Sequence, residues 1–141
     1  LTFCAGSFSA GEHNDCVAMA KQFADRTHFV HLRSCYIFPN GNFTEASHLG
    51  GRGHLIELCR IFEKAEQEGK CNSGRRLPMR VDHGMTFTDE PGGVFDESNH
   101  GHNAGYTLLG RMFAMGQIQG VIATVDDELG IEYKQPGFYD E

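Results

Sequence analysis

The sequence predicts an α/β fold made of the last three βα units of a (β/α)8 TIM barrel, incomplete as given, and three observations carry that expectation. Short runs with period-2 alternation are each followed by a stretch of helical period, in the order strand-helix, strand-helix, strand-helix. Each expected strand brings a potential ligand to its carboxyl end, namely Cys4, His31 and Asp82, where barrels and open α/β sheets place their chemistry. Glycine, 18 of 141 residues, is dense in the connecting segments, where backbone can approach a ligand closely. Three units cannot close an eight-stranded barrel. Residues 1–141 are therefore expected to be the C-terminal part of a single (β/α)8 catalytic domain. A start without Met, almost directly on a strand, fits the same expectation of a fragment of something longer.

The first strand is expected over Thr2 to Gly6, broken at Gly6-Ser7 and followed by a polar loop. Asn14-Asp15 can cap a helix from about Cys16 to Arg26, with Val17, Ala20, Phe23 and Ala24 on its apolar face. His28 to Arg33 forms the second strand, with Phe29, His31 and Arg33 on one face and His28, Val30 and Leu32 on the other. Pro39-Asn40-Gly41-Asn42 signals a turn, and Tyr36-Ile37-Phe38 can face Phe43-Thr44 across a small hairpin. A helix from about Gly53 to Glu68 buries Leu55, Leu58, Cys59, Phe62 and Ala65, and turns Glu57, Arg60, Glu63, Lys64 and Glu66 to solvent.

A basic linker, Lys70 to Arg76, leads to the third strand, Leu77 to Asp82, after which Gly84 is expected to turn the backbone sharply. The long loop His83 to Asn103 carries Pro91-Gly92-Gly93 and the run Asn99-His100-Gly101-His102, whose histidines suit a surface loop better than a metal site. A last helix is expected from Gly105 to about Ala123, with Leu108, Leu109, Met112, Phe113 and Met115 inward. The tail from Ile131 to Glu141 carries no strong element.

Composition narrows the function classes. An apolar share of 40% with 22% charged residues describes an ordinary globular protein. A formal net charge of −7 argues against a nucleic-acid or anionic-membrane surface. No apolar run is expected to reach the roughly 20 residues that span a bilayer, and Leu1-Thr2-Phe3-Cys4 has no basic n-region. The five cysteines are scattered singly, with no CxxC pair, which suits mostly buried thiols in a reducing, cytoplasmic setting.

Thiolate, imidazole and carboxylate at equivalent exits of three strands make a first-row metal site a natural reading. Each residue also has a plainer explanation: Cys4 as a small buried hydrophobe, His31 as a hydrogen-bonded core histidine, Asp82 as a loop cap. Arg33 and Arg80 can bind a substrate carboxylate as bidentate forks, or form salt bridges at the barrel mouth. Glu45 and His48 can line a pocket or meet a neighbouring subunit.

Five segments together are more specific than any one of them. Cys4-Ala5-Gly6-Ser7, Phe29-Val30-His31-Leu32-Arg33, Asn42-Phe43-Thr44-Glu45-Ala46-Ser47-His48-Leu49, Pro78-Met79-Arg80-Val81-Asp82-His83-Gly84 and Gly105-Tyr106-Thr107-Leu108-Leu109-Gly110-Arg111 resemble, in order and approximate spacing, the C-terminal part of the mannonate dehydratase family. The resemblance covers nearly the whole chain apart from the 85–103 loop, where the sequence departs from the family, and the tail. It implies a (β/α)8 barrel that dehydrates D-mannonate to 2-keto-3-deoxy-D-gluconate in hexuronate (glucuronate) catabolism, a homo-oligomer in full-length form, and a Mn2+ or Fe2+ centre held by a cysteine, two histidines and an aspartate. Carried over by motif, Cys4, His31 and Asp82 are metal ligands, with a further histidine expected on a preceding strand; His83 and Tyr106 match the acid/base pair, in unassigned order. His28 is the rival to His31, but His31 matches the histidine two places before the motif arginine. Two other readings stand beside this one: a sugar isomerase or epimerase on a similar metal-bearing barrel, for which a cysteine ligand would be unusual, and an inactive fragment or assembly module.

Overall fold

The computed structural model describes residues 1–87 and 104–132. Its element order is β1 (Thr2–Cys4), α1 (Ala5–Ser9), α2 (Cys16–Phe23), β2 (Phe29–His31), β3 (Cys35–Ile37), β4 (Phe43–Glu45), α3 (Leu55–Gln67), β5 (Met79–Arg80) and α4 (Leu108–Leu129). Short 3-10 turns at Ala24–Arg26, Asn72–Gly74 and Ala104–Tyr106 join them. The strands β1, β2 and β5 pair in parallel in that spatial order, so successive βα units lie side by side in an α/β fold. The expected hairpin forms as a separate antiparallel pair, β3–β4, with Tyr36 opposite Thr44 and Ile37 opposite Phe43.

Local chemistry explains most boundaries. The Asp15 carboxylate accepts from the amides of Val17 and Ala18, both at 3.0 Å, and caps α2. On α3 all five residues expected inward are buried, with Phe62 and Leu58 fully enclosed. They meet Phe3, Val30 and Leu32 from the sheet, and Phe3 stands edge-on to Phe62 with ring centroids 5.2 Å apart. Four cysteines, Cys16, Cys35, Cys59 and Cys71, are buried free thiols, as their scatter predicts.

Four expectations change. The first strand stops at Cys4, and a five-residue helix replaces the expected polar loop. The third strand is limited to Met79–Arg80, and the chain turns at Asp82, whose φ is 58°, rather than at Gly84. Gly84 instead allows contact: a Cβ there would collide with the backbone of Gly110, and one on Gly110 with the Met85 carbonyl. That approach decides the third change, the orientation of α4. Its inward residues are Gly110, Ala114, Ile118, Val125 and Asp126, whereas Leu108, Leu109, Met112, Phe113 and Met115 are exposed. A helix apolar all round offers two possible inner faces, and the small-residue face lets it sit closer to the Gly84 loop. The fourth concerns its length. The helix continues past the expected end at Ala123 to Leu129, so by length and composition it is the one helix among the described residues able to cross a membrane. Its packing on α3 and the Arg60–Glu128 bridge, 2.8 Å, fit a helix that covers a core. The histidines His100 and His102, most of the long loop and the tail beyond 132 lie outside the described residues.

Where α3 meets α4, Glu63 shares its setting with Asp126 and Glu66. Burial, and then the charges of Asp126 and Glu66, raise the Glu63 carboxyl to about 7. A folded-state value above the unfolded one makes the protonated form the stabilising one, so this contribution is present in acid and lost as pH rises through about 7. Glu63→Gln is expected to raise the melting temperature at pH 8, with the gain shrinking towards pH 4.5; thermal unfolding at both values checks it. Phe62→Ala should cost about 3–5 kcal/mol by the loss of a fully enclosed ring, read as a fall in denaturant midpoint.

Candidate metal centre

The parallel register builds the site. Cys4 pairs with His31 across β1 and β2, and His31 pairs with Arg80 across β2 and β5. Cys4 and His31 thus stand side by side at the last residues of their strands, and Asp82 follows two residues beyond Arg80. The left-handed backbone at Asp82, uncommon but tolerated by aspartate, accompanies a carboxylate that is 5% exposed.

Among the described residues, Cys4, His31 and Asp82 are the group able to hold a metal ion: one donor atom from each lies within 4.8 Å of the others. The His31 Nδ1 is 3.7 Å, and the Cys4 Sγ 4.0 Å, from the Asp82 Oδ2. Two donors bound to one ion at roughly 2.0–2.3 Å stand about 3–4 Å apart in tetrahedral or octahedral geometry, so these spacings fit a shared cation. Burial holds the His31 imidazole below its ordinary range, outweighing the opposing pull of the Asp82 carboxylate. The neutral ring this favours is the form that ligates metals. Ser7 donates to the Cys4 Sγ at 3.1 Å. Sequence reasoning missed Ser7, because the i, i+3 proximity arises only once α1 follows β1 without a loop.

The two oxygens of Asp82 are divided between tasks. Oδ2 faces Cys4 and His31, with the His83 Nε2 at 3.9 Å. Oδ1 accepts from the Arg80 guanidinium at 2.7 Å and from the Tyr106 hydroxyl at 3.1 Å. Arg80 also reaches the Tyr106 oxygen at 3.3 Å. The rings of His83 and Tyr106 lie in tilted contact with centroids 4.5 Å apart, so the expected acid/base pair is brought together beside the three donors. Gly105 makes room for this: a Cβ at that position would strike the His83 ring.

The residues expected to bind substrate have varied settings. Arg33 grips Glu45 through two hydrogen bonds, at 2.9 and 2.5 Å, the salt-bridge alternative foreseen for it. Burial alone would lower the Arg33 pKa, but the hydrogen bond and charge of Glu45 outweigh it and hold it above the ordinary value. His48 is 2% exposed and its Nε2 meets the Val81 carbonyl at 3.1 Å, so it braces the chain just past β5. Its backbone amide donates to the Gln117 Oε1 of α4 at 3.2 Å. Arg80 is committed to Asp82 and Tyr106, while its buried Nε has no partner among the described residues. His28 is away at the start of β2, bonded to Asn72 at 3.0 Å.

Fold and site define a parallel α/β chain with a metal-competent triad of thiol, imidazole and carboxylate at its strand ends. The chain belongs to the D-mannonate dehydratase (UxuA) family, whose model matches residues 1–131. It is 37% identical over 131 residues to mannonate dehydratase 2 of Agrobacterium fabrum, a match covering 92% of this chain and 31% of that protein. It is likewise 37% identical over 128 residues to the mannonate dehydratase of Saccharophagus degradans, covering 89% of this chain and 31% of that one. The crystal structure of mannonate dehydratase from Streptococcus suis serotype 2 superposes on all of the chain, and on 38% of its own, with a TM-score of 0.70 at 19% identity. The chain thus spans about a third of the length of the relatives it matches.

Asp82→Ala is expected to abolish stoichiometric metal binding, and Ser7→Ala to weaken it about 10–100-fold, as loss of a ligand's own hydrogen-bond partner does. Metal titration followed by elemental analysis distinguishes the two.

Proposed function

We propose that the protein containing this chain is a metal-dependent hydro-lyase that dehydrates D-mannonate to 2-keto-3-deoxy-D-gluconate in hexuronate catabolism. In this reading residues 1–141 are the C-terminal part of one (β/α)8 catalytic domain, and a histidine from an earlier strand joins Cys4, His31 and Asp82 around Mn2+ or Fe2+. The mixed sulfur, nitrogen and oxygen donors suit such an ion, and are chemically compatible with zinc as well. The protein acts on a small sugar acid in the cytoplasm, as a homo-oligomer, without nucleic-acid or membrane partners. One observation carries the proposal: in a chain of this family, three groups able to ligate a metal, at or just past the ends of three parallel strands, meet within 4.8 Å beside a histidine and a tyrosine in ring contact.

A bound divalent ion supplies Lewis-acid stabilisation of the charge that develops when the proton beside the substrate carboxylate is removed. The chain's own residues handle the protons. One of His83 and Tyr106 takes the C2 proton as the C2–C3 double bond forms and the C3–O bond breaks. The other gives a proton to the departing hydroxyl, which leaves as water, and the resulting enol becomes the 2-keto acid by protonation at C3. Asp82 Oδ1 and Arg80 hold the Tyr106 hydroxyl in place for its part in this.

The test is turnover of D-mannonate by the full-length protein with Mn2+ or Fe2+, followed by appearance of the 2-keto-3-deoxy acid. No product would end the proposal. The 141-residue chain by itself is expected to give no detectable turnover, because it spans only 31% of the length of the relatives it matches. In the full-length protein His83→Ala should keep the metal and lose roughly 10²–10⁴-fold in kcat, whereas equal metal loss in His83→Ala and Asp82→Ala would remove His83 from acid/base work.

A further inference from the structure

The hairpin β3–β4 carries a contact that no expectation from the sequence included. Glu45, the last residue of β4, sends its Oε1 to within 2.9 Å of the His83 Nδ1, 38 residues away along the chain. The same carboxylate takes two hydrogen bonds from Arg33, Nε to Oε2 at 2.9 Å and a terminal nitrogen to Oε1 at 2.5 Å. All three side chains are enclosed, with exposures of 13% for Arg33, 12% for Glu45 and 11% for His83. Glu45 is itself anchored by antiparallel pairing to Cys35, and its neighbour Ala46 donates to the Ser34 carbonyl at 2.9 Å.

We propose that Glu45 is a positioning residue for His83: held by Arg33, it accepts the Nδ1 hydrogen and so fixes the tautomer that turns an unprotonated Nε2 to the metal centre. A carboxylate paired with a guanidinium is acceptor-only, so the ring nitrogen that meets it must carry the hydrogen. A neutral imidazole has one N–H, and the lone pair then falls on Nε2. That atom lies 3.9 Å from Asp82 Oδ2, on the side where Cys4 and His31 present their donors. Tyr106, in tilted ring contact at 4.5 Å, and the close backbone of Gly105 leave the ring little freedom to flip. A ring fixed at one nitrogen by an enclosed charged acceptor is pre-organised for proton transfer at the other. On this assignment Arg33 and Glu45 act on the reaction through His83 and do not contact substrate. The catalytic consequence rests on the dehydratase reading; the tautomer does not.

The experiment has two arms on the full-length protein. In the metal-free protein, nitrogen-15 spectra of the His83 imidazole should show the hydrogen on Nδ1, and in Glu45→Gln a loss of that single tautomer. In the metal-loaded protein, Glu45→Gln should lower kcat about 10–100-fold with KM and metal content nearly unchanged, and the His83→Asn, Glu45→Gln pair should lose no more than His83→Asn alone. Losses that multiply, or a wild-type ring carrying its hydrogen on Nε2, would overturn the proposal. If Glu45→Gln does not fold, the wild-type tautomer decides. If wild-type protein does not dehydrate mannonate, the reading of the reaction fails while the tautomer arm still tests the positioning.

Discussion

Parallel pairing of β1, β2 and β5 is the constraint on which everything else rests. Backbone hydrogen bonds set neighbouring strands about 4.8 Å apart, and the register sets Cys4 opposite His31 and His31 opposite Arg80. Side chains at paired positions point to the same side, so a shift of one residue in β2 would replace His31 with Val30 or Leu32. The register is held from behind. Val30 and Leu32 are fully buried on the face against α3, and moving them outward would empty the core at Phe3 and Phe62. The core thereby fixes which side chains reach the site.

A second layer of order is polar. Arg80, Tyr106 and Asp82 form one network, Arg33, Glu45 and His83 another, and His83 Nε2 faces the Asp82 Oδ2 where they meet. Charge-assisted hydrogen bonds in enclosed settings are stronger than neutral ones and sensitive to geometry. The strand ends, the hairpin and the turn before α4 each contribute at least one member. That spread makes the site a product of tertiary structure and not of any one motif.

Much of this was legible in the sequence. Period-2 and helical patterns located all three parallel strands, the hairpin and the apolar face of α3, because each pattern was bounded by clear turn or cap residues such as Asp15 and the Pro39–Asn42 run. Cys4, His31 and Asp82 were legible because βα repetition places strand ends together. The face of α4 was not, since a helix apolar on all sides has no periodic signal, and the choice fell to the close approach of Gly84 and Gly110. Nor could the sequence reveal the Glu45–His83 contact or the burial of His48, which depend on how residues 45–48 meet the chain just past β5. Lone residues with long-range partners leave no local trace.

The backbone at Asp82 has a consequence for which residues that position can accept. Its φ of 58° lies in the left-handed region, which glycine enters freely and asparagine and aspartate enter more readily than most other residues. Independently, the position asks for two oxygens, one for the donor group and one for Arg80 and Tyr106. Glycine and asparagine meet the first demand and fail the second; glutamate supplies the oxygens and meets the first poorly. Of these four, aspartate alone meets both. Substitution tolerance at 82 should therefore be narrower than at Cys4 or His31, even for changes that preserve charge.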